Sequence, residues 1–558
     1  MAESLSGIGV SPGVAAGPVA QMAPPPVVPT DATPSGDPDA ENQAAMAAMK
    51  AVATSLEERA ARAPGEAASV LAAQAMMAED PTLASKVTDG VQAGKAAITA
   101  VVDAFEEFRA MLAAAGPYMA ERVADLDDLR NRTIATLLGV PMPGVPDPGH
   151  PFVLVALDLA PADTATLDAD RVRAIVTEEG GPTSHTAILA KSLGIPAVVT
   201  CHGATAIAEG ETVLVDGTEG SVIVAPDEAT VTEALDAEQR KLAALQAVSG
   251  PGRTSDGHPV QLLVNIAGDK DLAPAAAADS EGVGLFRTEF LFLDRPNAPT
   301  LEEQQAVYQR VFDAFAGRKV VVRTLDAGAD KPLEFVTVPD EPNPALGVRG
   351  LRTSRRHPEL LEEQLTAVAN AAAASEAQVW VMAPMVSTTA EAAAFAEQVR
   401  GHGLSSGGVM VEVPAAAIRA RHVAAVCDFM SIGTNDLSQY TYAADRMAGE
   451  LADLLDAWQP ALLDLVRMTA EAGKALGKPV GVCGEAASDP LLALVFVGLG
   501  ITSLSMAPSG VPGVRFALSR TTLATCERMA EAARNARDAA DGKAAVEKLV
   551  DPEVLLAL

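Results

Sequence analysis

Residues 178–199 read EEGGPTSHTAILAKSLGIPAVV and carry a single histidine, His185, just after a glycine pair. The apolar run before them, 172–176, is typical of a buried strand, and the two glycines allow a tight turn. Thr183 or Ser184 can cap the helix that the following residues favour. This stretch therefore predicts a strand, a turn and a helix with His185 in its first turn.

The position of His185 suits covalent phosphorylation. In the first turn of a helix, unpaired backbone N–H groups and the positive end of the helix dipole favour a bound phosphoryl group. The same charge disfavours the imidazolium, which leaves a neutral and nucleophilic ring nitrogen. A single histidine near a helix start more often caps or packs than reacts, so His185 is a candidate that the rest of the sequence must support.

The bulk properties limit the class of protein. A chain of 558 residues is too long for one core and predicts two to four domains. Its 49% apolar and 3% aromatic residues indicate helices packed through small side chains. The formal charge of −32 argues against nucleic acid and anionic membranes as partners, because both are bound by clustered Lys and Arg.

Location and redox state follow from simple features. The N-terminus lacks the basic start and apolar run of a signal peptide, and no apolar stretch is long enough for a membrane span. We therefore expect a cytoplasmic protein without membrane insertion. The cysteines are widely scattered, which argues against a zinc site or a disulfide framework and leaves one available for catalysis. They are Cys201, Cys427, Cys483 and Cys526.

Changes in pattern along the chain predict a multidomain α/β protein. Residues 4–20 favour a strand, a turn and a second strand, then 39–138 is helical nearly throughout, and strand signals return after 152. A helical bundle is thus inserted into an α/β domain. The predicted limits are 1–22 and 140–227 for the α/β domain, 38–138 for the bundle, 228–250 for a helical linker that could act as a swivel, and 252–558 for a C-terminal domain.

The C-terminal domain contains eight apolar strand candidates separated by helical stretches, which predicts a TIM (β/α)8 barrel. The candidates are 260–266, 282–286, 319–324, 378–384, 408–412, 427–432, 479–483 and 502–506. In this fold the carboxyl ends of the strands build the active site. Those ends carry Arg287, Arg323, Glu412, Asn435, Asp436 and Cys483.

These residue types suit a phosphorylated carboxylic acid, which needs several inward cations. Arg287 and Arg323 are the first candidates, and Arg349 and Arg446 are further ones; each alone could equally be a surface ion pair. Glu412 and Asp436 offer hard oxygen ligands that suit Mg²⁺, or they could form buried salt bridges. Cys483 lies between glycines, with room for a substrate, although a free cysteine is usually a core residue.

Two groups of segments carry a family resemblance. GGPTSHTA followed by AKSLGIPAV is similar to the phosphohistidine domain shared by Enzyme I of the bacterial phosphoenolpyruvate:sugar phosphotransferase system, phosphoenolpyruvate synthase and pyruvate phosphate dikinase. Pro182 stands where some relatives carry a basic residue, so we expect changed anion contacts there without loss of the nucleophile. A second group of segments resembles, in the same order, the phosphoenolpyruvate-binding barrel of Enzyme I. These segments are 281–290, 326–331, 343–349, 431–440 and 481–485.

This resemblance implies an enzyme that phosphorylates His185 from phosphoenolpyruvate, releases pyruvate and passes the phosphoryl group to the carrier protein HPr, as the first step of sugar uptake. Cys483 would be the proton donor, and Glu412 and Asp436 would bind Mg²⁺. A homodimer through the barrel is also implied. The residues that would hold phosphoenolpyruvate are Arg287, Arg323, Asn435, Asp436 and Arg446, with Arg349 and Lys331 in matching segments.

The acceptor assignment rests on resemblance. Segments 71–83 and 121–128 resemble the subdomain of Enzyme I that docks HPr. The alternative is that Met76 and Met77 are core residues and that the acidic residues form a solvated face.

Two other functions are compatible with parts of this resemblance. A phosphoenolpyruvate synthase or dikinase would add a nucleotide-binding domain, yet the residues before the phosphohistidine domain contain no glycine-rich phosphate loop. A non-catalytic regulator would be favoured by the loss of His185, Cys483 or the arginines, all of which are present. No sensory domain precedes residue 1 in this sequence, so we expect a sugar-linked rather than a nitrogen-related Enzyme I.

Overall fold

The computed structural model describes residues 3–557 with several gaps. The gaps are 23–25, 30–31, 61–64, 115–122, 141–143, 147, 160–166, 168–170, 182–183, 294, 329–332, 334, 338–340, 342 and 447. The chain divides into two compact units, 1–239 and 240–558. This division sets a single boundary, between residues 239 and 240. The more detailed domain limits predicted from the sequence therefore remain predictions.

The first unit is built on an eight-stranded mixed sheet in the order β1-β8-β7-β3-β4-β5-β6-β2. The central strands β3 to β6 are parallel, and the remaining pairs are antiparallel. The strands are β1 Glu3–Ser6, β2 Ile8–Ser11, β3 Val14–Gln21, β4 Phe152–Ala156, β5 Val172–Thr177, β6 Ala197–Val199, β7 Thr212–Asp216 and β8 Ser221–Val224.

The first predicted strand is in fact two strands, which run to opposite edges of the sheet. The change occurs at Gly7, whose backbone N–H donates to the carbonyl of Gly220 at 2.8 Å. A Cβ at Gly7 would lie 2.5 Å from the carbonyl oxygen of Val199, so only glycine allows this close approach. Residues 12–13, where a turn was predicted, separate β2 from β3 and belong to neither strand.

Alternating residues give this sheet two apolar faces. Phe152, Leu154 and Ala156 pack on one face, while Val153 and Val155 pack on the other. The first face is covered by helix α6, His185–Leu193, through Ala187 and Ala190. The helix that begins at His185 is thus fixed by burial of its apolar side against the parallel strands.

The chain leaves this sheet after β3 and forms helices before it returns at β4. These helices are α1 Pro38–Ala60, α2 Gly65–Ala78, α3 Pro81–Gln92, α4 Ala97–Ala114 and α5 Val123–Leu138. Their core includes Leu56, Leu83, Val101, Phe105 and Leu129, all at most 1% exposed. The predicted bundle within an α/β unit is therefore confirmed.

The second unit contains a closed barrel of eight parallel strands. They are β9 Gln261–Ile266, β10 Gly282–Arg287, β11 Lys319–Arg323, β12 Gln378–Ala383, β13 Gly407–Val411, β14 Met430–Ile432, β15 Val480–Val482 and β16 Ser503–Met506. All eight predicted strands occur. Strand β14 begins three residues late, since residues 427 and 428 form a bend, where Asp428 Oδ2 accepts a hydrogen bond from Gly407 N at 3.0 Å.

Helices surround the barrel and also lead into it. Helix α7, Glu228–Gln246, lies within the segment 228–250 that was predicted to be helical. The others are α8 Asp269–Ala277, α9 Leu301–Ala314, α10 Pro358–Ala373, α11 Thr389–Gly401, α12 Pro414–Ile418, α13 Ala420–Ala424, α14 Thr434–Tyr442, α15 Pro460–Leu476, α16 Pro490–Gly498, α17 Val511–Arg520, α18 Leu523–Arg534, α19 Ala539–Glu547 and α20 Pro552–Leu556. None of the helices in the described part of the chain combines the length and apolar character needed to span a bilayer.

Candidate active site

The structure places His185 at the first residue of helix α6, as the sequence predicted. Ser184 is the N-cap, and its Oγ accepts a hydrogen bond from Ala187 N at 3.3 Å. The helix ends at Gly194, which has a positive φ of 66°. The alternative cap, Thr183, and the variant position Pro182 lie outside the described residues.

Side chains of neighbouring segments hold the turn before this helix. Gly180 has a φ of 94°, and its carbonyl accepts a hydrogen bond from Thr200 Oγ1 at 2.8 Å. At the other side, Thr186 Oγ1 donates to Asp158 Oδ1 at 3.1 Å, which joins the helix start to the residues after β4. The helix N-terminus is therefore fixed from two strands of the sheet.

The remaining predicted site residues belong to the second unit. Arg287 and Arg323 are direct partners at the carboxyl ends of the neighbouring parallel strands β10 and β11. The guanidinium of Arg287 is partly exposed and forms no hydrogen bond or ion pair with the described residues. It is thus available to an anionic ligand at the mouth of the barrel.

Arg323 is buried and surrounded by carboxylates. Its Nη2 lies 2.7 Å from Glu289 Oε1, and its Nη1 lies 2.9 Å from Asp326 Oδ2 and 3.8 Å from Glu412 Oε1. Its Nε is buried without a hydrogen-bond partner among the described residues. Since an unsatisfied buried donor is costly, this nitrogen favours an acceptor supplied by a ligand.

Arg349 joins the same cluster from the loop after β11. Its two terminal nitrogens lie 3.0 Å from Asp436 Oδ1 and 3.3 Å from Asp326 Oδ2, and Nη1 also donates to the hydroxyl of Tyr440 at 3.3 Å. With 4% of its surface exposed, Arg349 is held by an extensive set of polar contacts. The structure therefore brings Arg349, Arg323, Glu412 and Asp436 together.

Glu412 is a deeply buried acid of the cluster. Its Oε2 accepts a hydrogen bond from Met385 N at 2.7 Å, and the side chain is fully enclosed. Burial, together with the negative charges of Asp436 and Asp326, raises the pKa of Glu412 to about 8. A cation beside this carboxylate would relieve both effects.

The cluster contains more acidic than basic side chains. Four carboxylates, those of Glu289, Asp326, Glu412 and Asp436, face the two guanidinium groups of Arg323 and Arg349. When all are ionised, two negative charges remain. The described residues contain no group of three or more His, Cys, Asp or Glu donors arranged around one metal position. Mg²⁺ nevertheless usually binds only one or two protein carboxylates, and substrate and water oxygens complete its coordination shell. Two carboxylates of this cluster therefore fit such an ion.

Sequence reasoning missed two members of this cluster. Glu289 and Asp326 lie in the segments 281–290 and 326–331, which resemble Enzyme I, but the sequence gives neither residue a role. Asp326 follows Arg323, the last residue of β11, by three residues, and Glu289 follows Arg287 by two residues, so both stand where barrel side chains reach the site. Their positions shortly after barrel strands were therefore a signal in the sequence that could have identified both acids as site residues.

Cys483 directly follows strand β15 and is 2% exposed. Its thiol lies 3.6 Å from the carbonyl oxygen of Ile432 and packs with Leu285 and Met410 inside the barrel. Burial raises the pKa of the Cys483 thiol to about 11, although a hydrogen bond with Ser431 acts in the opposite direction. The thiol is therefore protonated at neutral pH and can donate a proton.

The remaining predicted site residues are Asn435, Arg446 and Lys331. Asn435 is exposed in the first turn of helix α14, one residue before the buried Asp436. The backbone N–H of Arg446 donates to Gln439 Oε1 at 3.1 Å, just after the same helix. Lys331 lies outside the described residues.

Comparisons with known proteins agree with this arrangement. Three family models match the chain: an N-terminal domain of phosphoenolpyruvate-utilising enzymes at 6–122, their mobile domain at 148–220 and their phosphoenolpyruvate-binding domain at 240–523. Phosphoenolpyruvate-protein phosphotransferase from Streptomyces coelicolor is 55% identical and covers 99% of this chain and 100% of its own length.

Proteins of the same name from more distant organisms also match. The one from Haloferax volcanii is 39% identical over 85% of this chain and 86% of its own, and the one from Bacillus subtilis is 36% identical over 95% and 96%. The predicted Enzyme I resemblance is confirmed, and the chain belongs to the family of phosphoenolpyruvate-protein phosphotransferases.

Proposed function

We propose that this chain transfers the phosphoryl group of phosphoenolpyruvate to His185, releases pyruvate and passes the phosphoryl group to HPr as the first step of sugar uptake. The observation that carries the proposal is the mouth of the barrel, where Arg287 and Arg323 stand side by side near a neutral thiol, Cys483. Relatives named for the same activity support this function over a synthase, a dikinase or a non-catalytic regulator.

The barrel residues would bind and orient the substrate. Arg287 and Arg323, with Asn435 and Arg446 from the segment after β14, would neutralise the phosphate and carboxylate groups. Asp436, Arg349 and Lys331 complete the proposed substrate-binding set. The buried Nε of Arg323 supports this assignment because a substrate oxygen would satisfy it.

Enzymes that use phosphoenolpyruvate need a divalent cation. We assign this ion as Mg²⁺ and its protein ligands as Glu412 and Asp436. When bound, Mg²⁺ would supply positive charge against the phosphoryl oxygens. The excess of four carboxylates over two guanidinium groups in the cluster supports the assignment.

The chemical step needs a nucleophile and an acid from this chain. A neutral ring nitrogen of His185 would form a bond to phosphorus while the bond between phosphorus and the enol oxygen breaks and leaves its electron pair on that oxygen. The thiol of Cys483 would then give its proton to C3, which produces pyruvate. The capped N-terminus of helix α6 would stabilise the phosphoryl group on His185.

The acceptor assignment has support of its own. Met76, near the end of helix α2, is 77% exposed and is therefore not a core residue, whereas Met77 is partly buried against the bundle core, as the alternative interpretation expects. An exposed methionine suits a protein-docking surface. HPr as partner, the homodimer through the barrel and the cytoplasmic location remain predictions.

The proposal can be tested with radiolabelled phosphoenolpyruvate and Mg²⁺ in the absence of nucleotide. Wild type should acquire acid-labile label that passes to HPr, His185→Ala should acquire none, and His202→Ala, which changes an exposed histidine of the same unit, should behave as wild type. Label that persists in His185→Ala would show that a residue other than His185 is phosphorylated. A wild type that takes label only from ATP would overturn the function itself.

A further inference from the structure

Behind the strand ends of the barrel lies a buried amide, that of Gln364 in helix α10, which is 1% exposed. Its Oε1 accepts a hydrogen bond from Leu325 N at 2.8 Å. Its Nε2 donates to Thr288 Oγ1 at 2.9 Å and to the hydroxyl of Tyr308 at 3.1 Å. Both donors and the acceptor of the amide are therefore used inside the protein.

The contacts of Gln364 lie at the ends of two neighbouring strands. Thr288 directly follows Arg287 at the end of β10, and Leu325 follows Arg323 by two residues at the end of β11. The backbone register between these strands ends at the pair Arg287 and Arg323. Beyond this pair, Thr288 Oγ1 donates to the carbonyl of Arg323 at 2.7 Å. A side-chain hydrogen bond thus joins the two chain segments after the backbone pairing between β10 and β11 has ended.

The network is anchored on the outer side of the barrel as well. The hydroxyl of Tyr308 in helix α9 donates to Gln304 Oε1 at 3.2 Å, and Gln304 Nε2 donates to the carbonyl of Pro299 at 3.1 Å. Tyr308 and Gln304 are at most 1% exposed. A satisfied buried network of this kind favours one arrangement of the groups it joins, because any displacement leaves polar atoms unpaired.

We propose that Gln364 is a positioning residue for substrate binding, which fixes the spacing of Arg287 and Arg323 by joining the two strand ends that carry them. The inference rests on the proposed function, in which these arginines hold phosphoenolpyruvate. An amide is required at this position because it combines two donors with an acceptor. Methionine has a similar length but no N–H donor and no amide oxygen. Gln364→Met therefore removes the hydrogen bonds between the two strand ends while the new side chain fills much of the same volume.

The test is the KM for phosphoenolpyruvate and the kcat of HPr phosphorylation in the full chain, measured well below the unfolding temperature with active sites titrated. Gln364→Met should raise KM about tenfold and change kcat less than about twofold, since displaced binding groups weaken substrate binding. Leu365→Ala is the matched control, because Leu365 is the next residue, fully buried and apolar. It should lower the melting temperature and leave KM unchanged.

A second variant covers the case in which Gln364→Met does not fold. Thr288→Val keeps the shape of the side chain but removes the hydroxyl between Gln364 and Arg323, and it should raise KM in the same way. An unchanged KM in whichever variant folds, or an equal rise in Leu365→Ala, would overturn the inference. Arg287→Met separates the two proposals: if it leaves KM unchanged, the substrate assignment fails, whereas a raised KM there with a normal KM in Gln364→Met refutes only the positioning role.

Discussion

The buried carboxyl of Glu412 makes the stability of the cation-free barrel depend on pH. Its pKa is raised to about 8 in the folded protein, against an ordinary value of 4.5 in the unfolded chain. Between these values the folded state holds a proton that the unfolded state has lost, so the free energy of unfolding falls as pH rises. At about 1.4 kcal/mol for each pH unit, the interval from 4.5 to 8 corresponds to a loss of up to about 5 kcal/mol.

Urea denaturation followed by tryptophan fluorescence can measure this loss. Both tryptophans of the chain, Trp380 and Trp458, lie in the second unit, so the signal reports that unit alone. In EDTA, the free energy of unfolding should fall between pH 5 and pH 8. Glu412→Gln should abolish most of this slope, because the amide carries no titrating proton. Adding Mg²⁺ to wild type at pH 8 should restore stability, since a ligand of the folded state stabilises it by mass action.

The control is Glu363→Gln, which changes an exposed carboxylate on a barrel helix and should keep the wild-type slope. The reasoning would be refuted if Glu412→Gln retained the wild-type dependence on pH. A free energy of unfolding that stays level between pH 5 and pH 8 in wild type, as in Glu412→Gln, would mean that Glu412 is ionised in the folded state and that its pKa is not raised.

Three further changes give sharp expectations. Gly484→Ala would place a Cβ 1.9 Å from Thr434 Oγ1 and should destabilise the second unit by about 1–3 kcal/mol in urea denaturation, whereas Gly401→Ala, with open space around it, should not. Cys483, with its pKa near 11, should react with iodoacetamide at pH 7.5 about one hundredfold more slowly than in the unfolded chain, as read by mass spectrometry of its peptide. Arg515→Met removes the hydrogen bond from Nε to the carbonyl of Gly250 at 3.0 Å and should cost about 1–3 kcal/mol in the same denaturation assay; an unchanged midpoint would show that this contact is dispensable.

Local patterns were sufficient for most of the fold. All eight barrel strands and the helix at His185 follow from short apolar runs, glycine turns and a serine cap, which act between residues close in sequence. The division of residues 3–11 into two edge strands was not predictable in this way. It depends on Val199 and Gly220, about 200 residues away, whose backbone approaches Gly7 too closely for a side chain.

The candidate site shows the same distinction. By itself the sequence determined which residues end the barrel strands, and hence Arg287, Arg323, Glu412 and Cys483, because strand ends are set by local pattern and the parallel barrel collects them at one end. It also determined the family. The tertiary structure alone decided which groups meet. It places Arg349 between Asp326 and Asp436, it raises the pKa of Glu412 by burial and by nearby acids, and it lets the amide of Gln364 join two strand ends. These facts depend on distances and burial between segments remote in the chain, and electrostatic energies are set by those quantities rather than by sequence order.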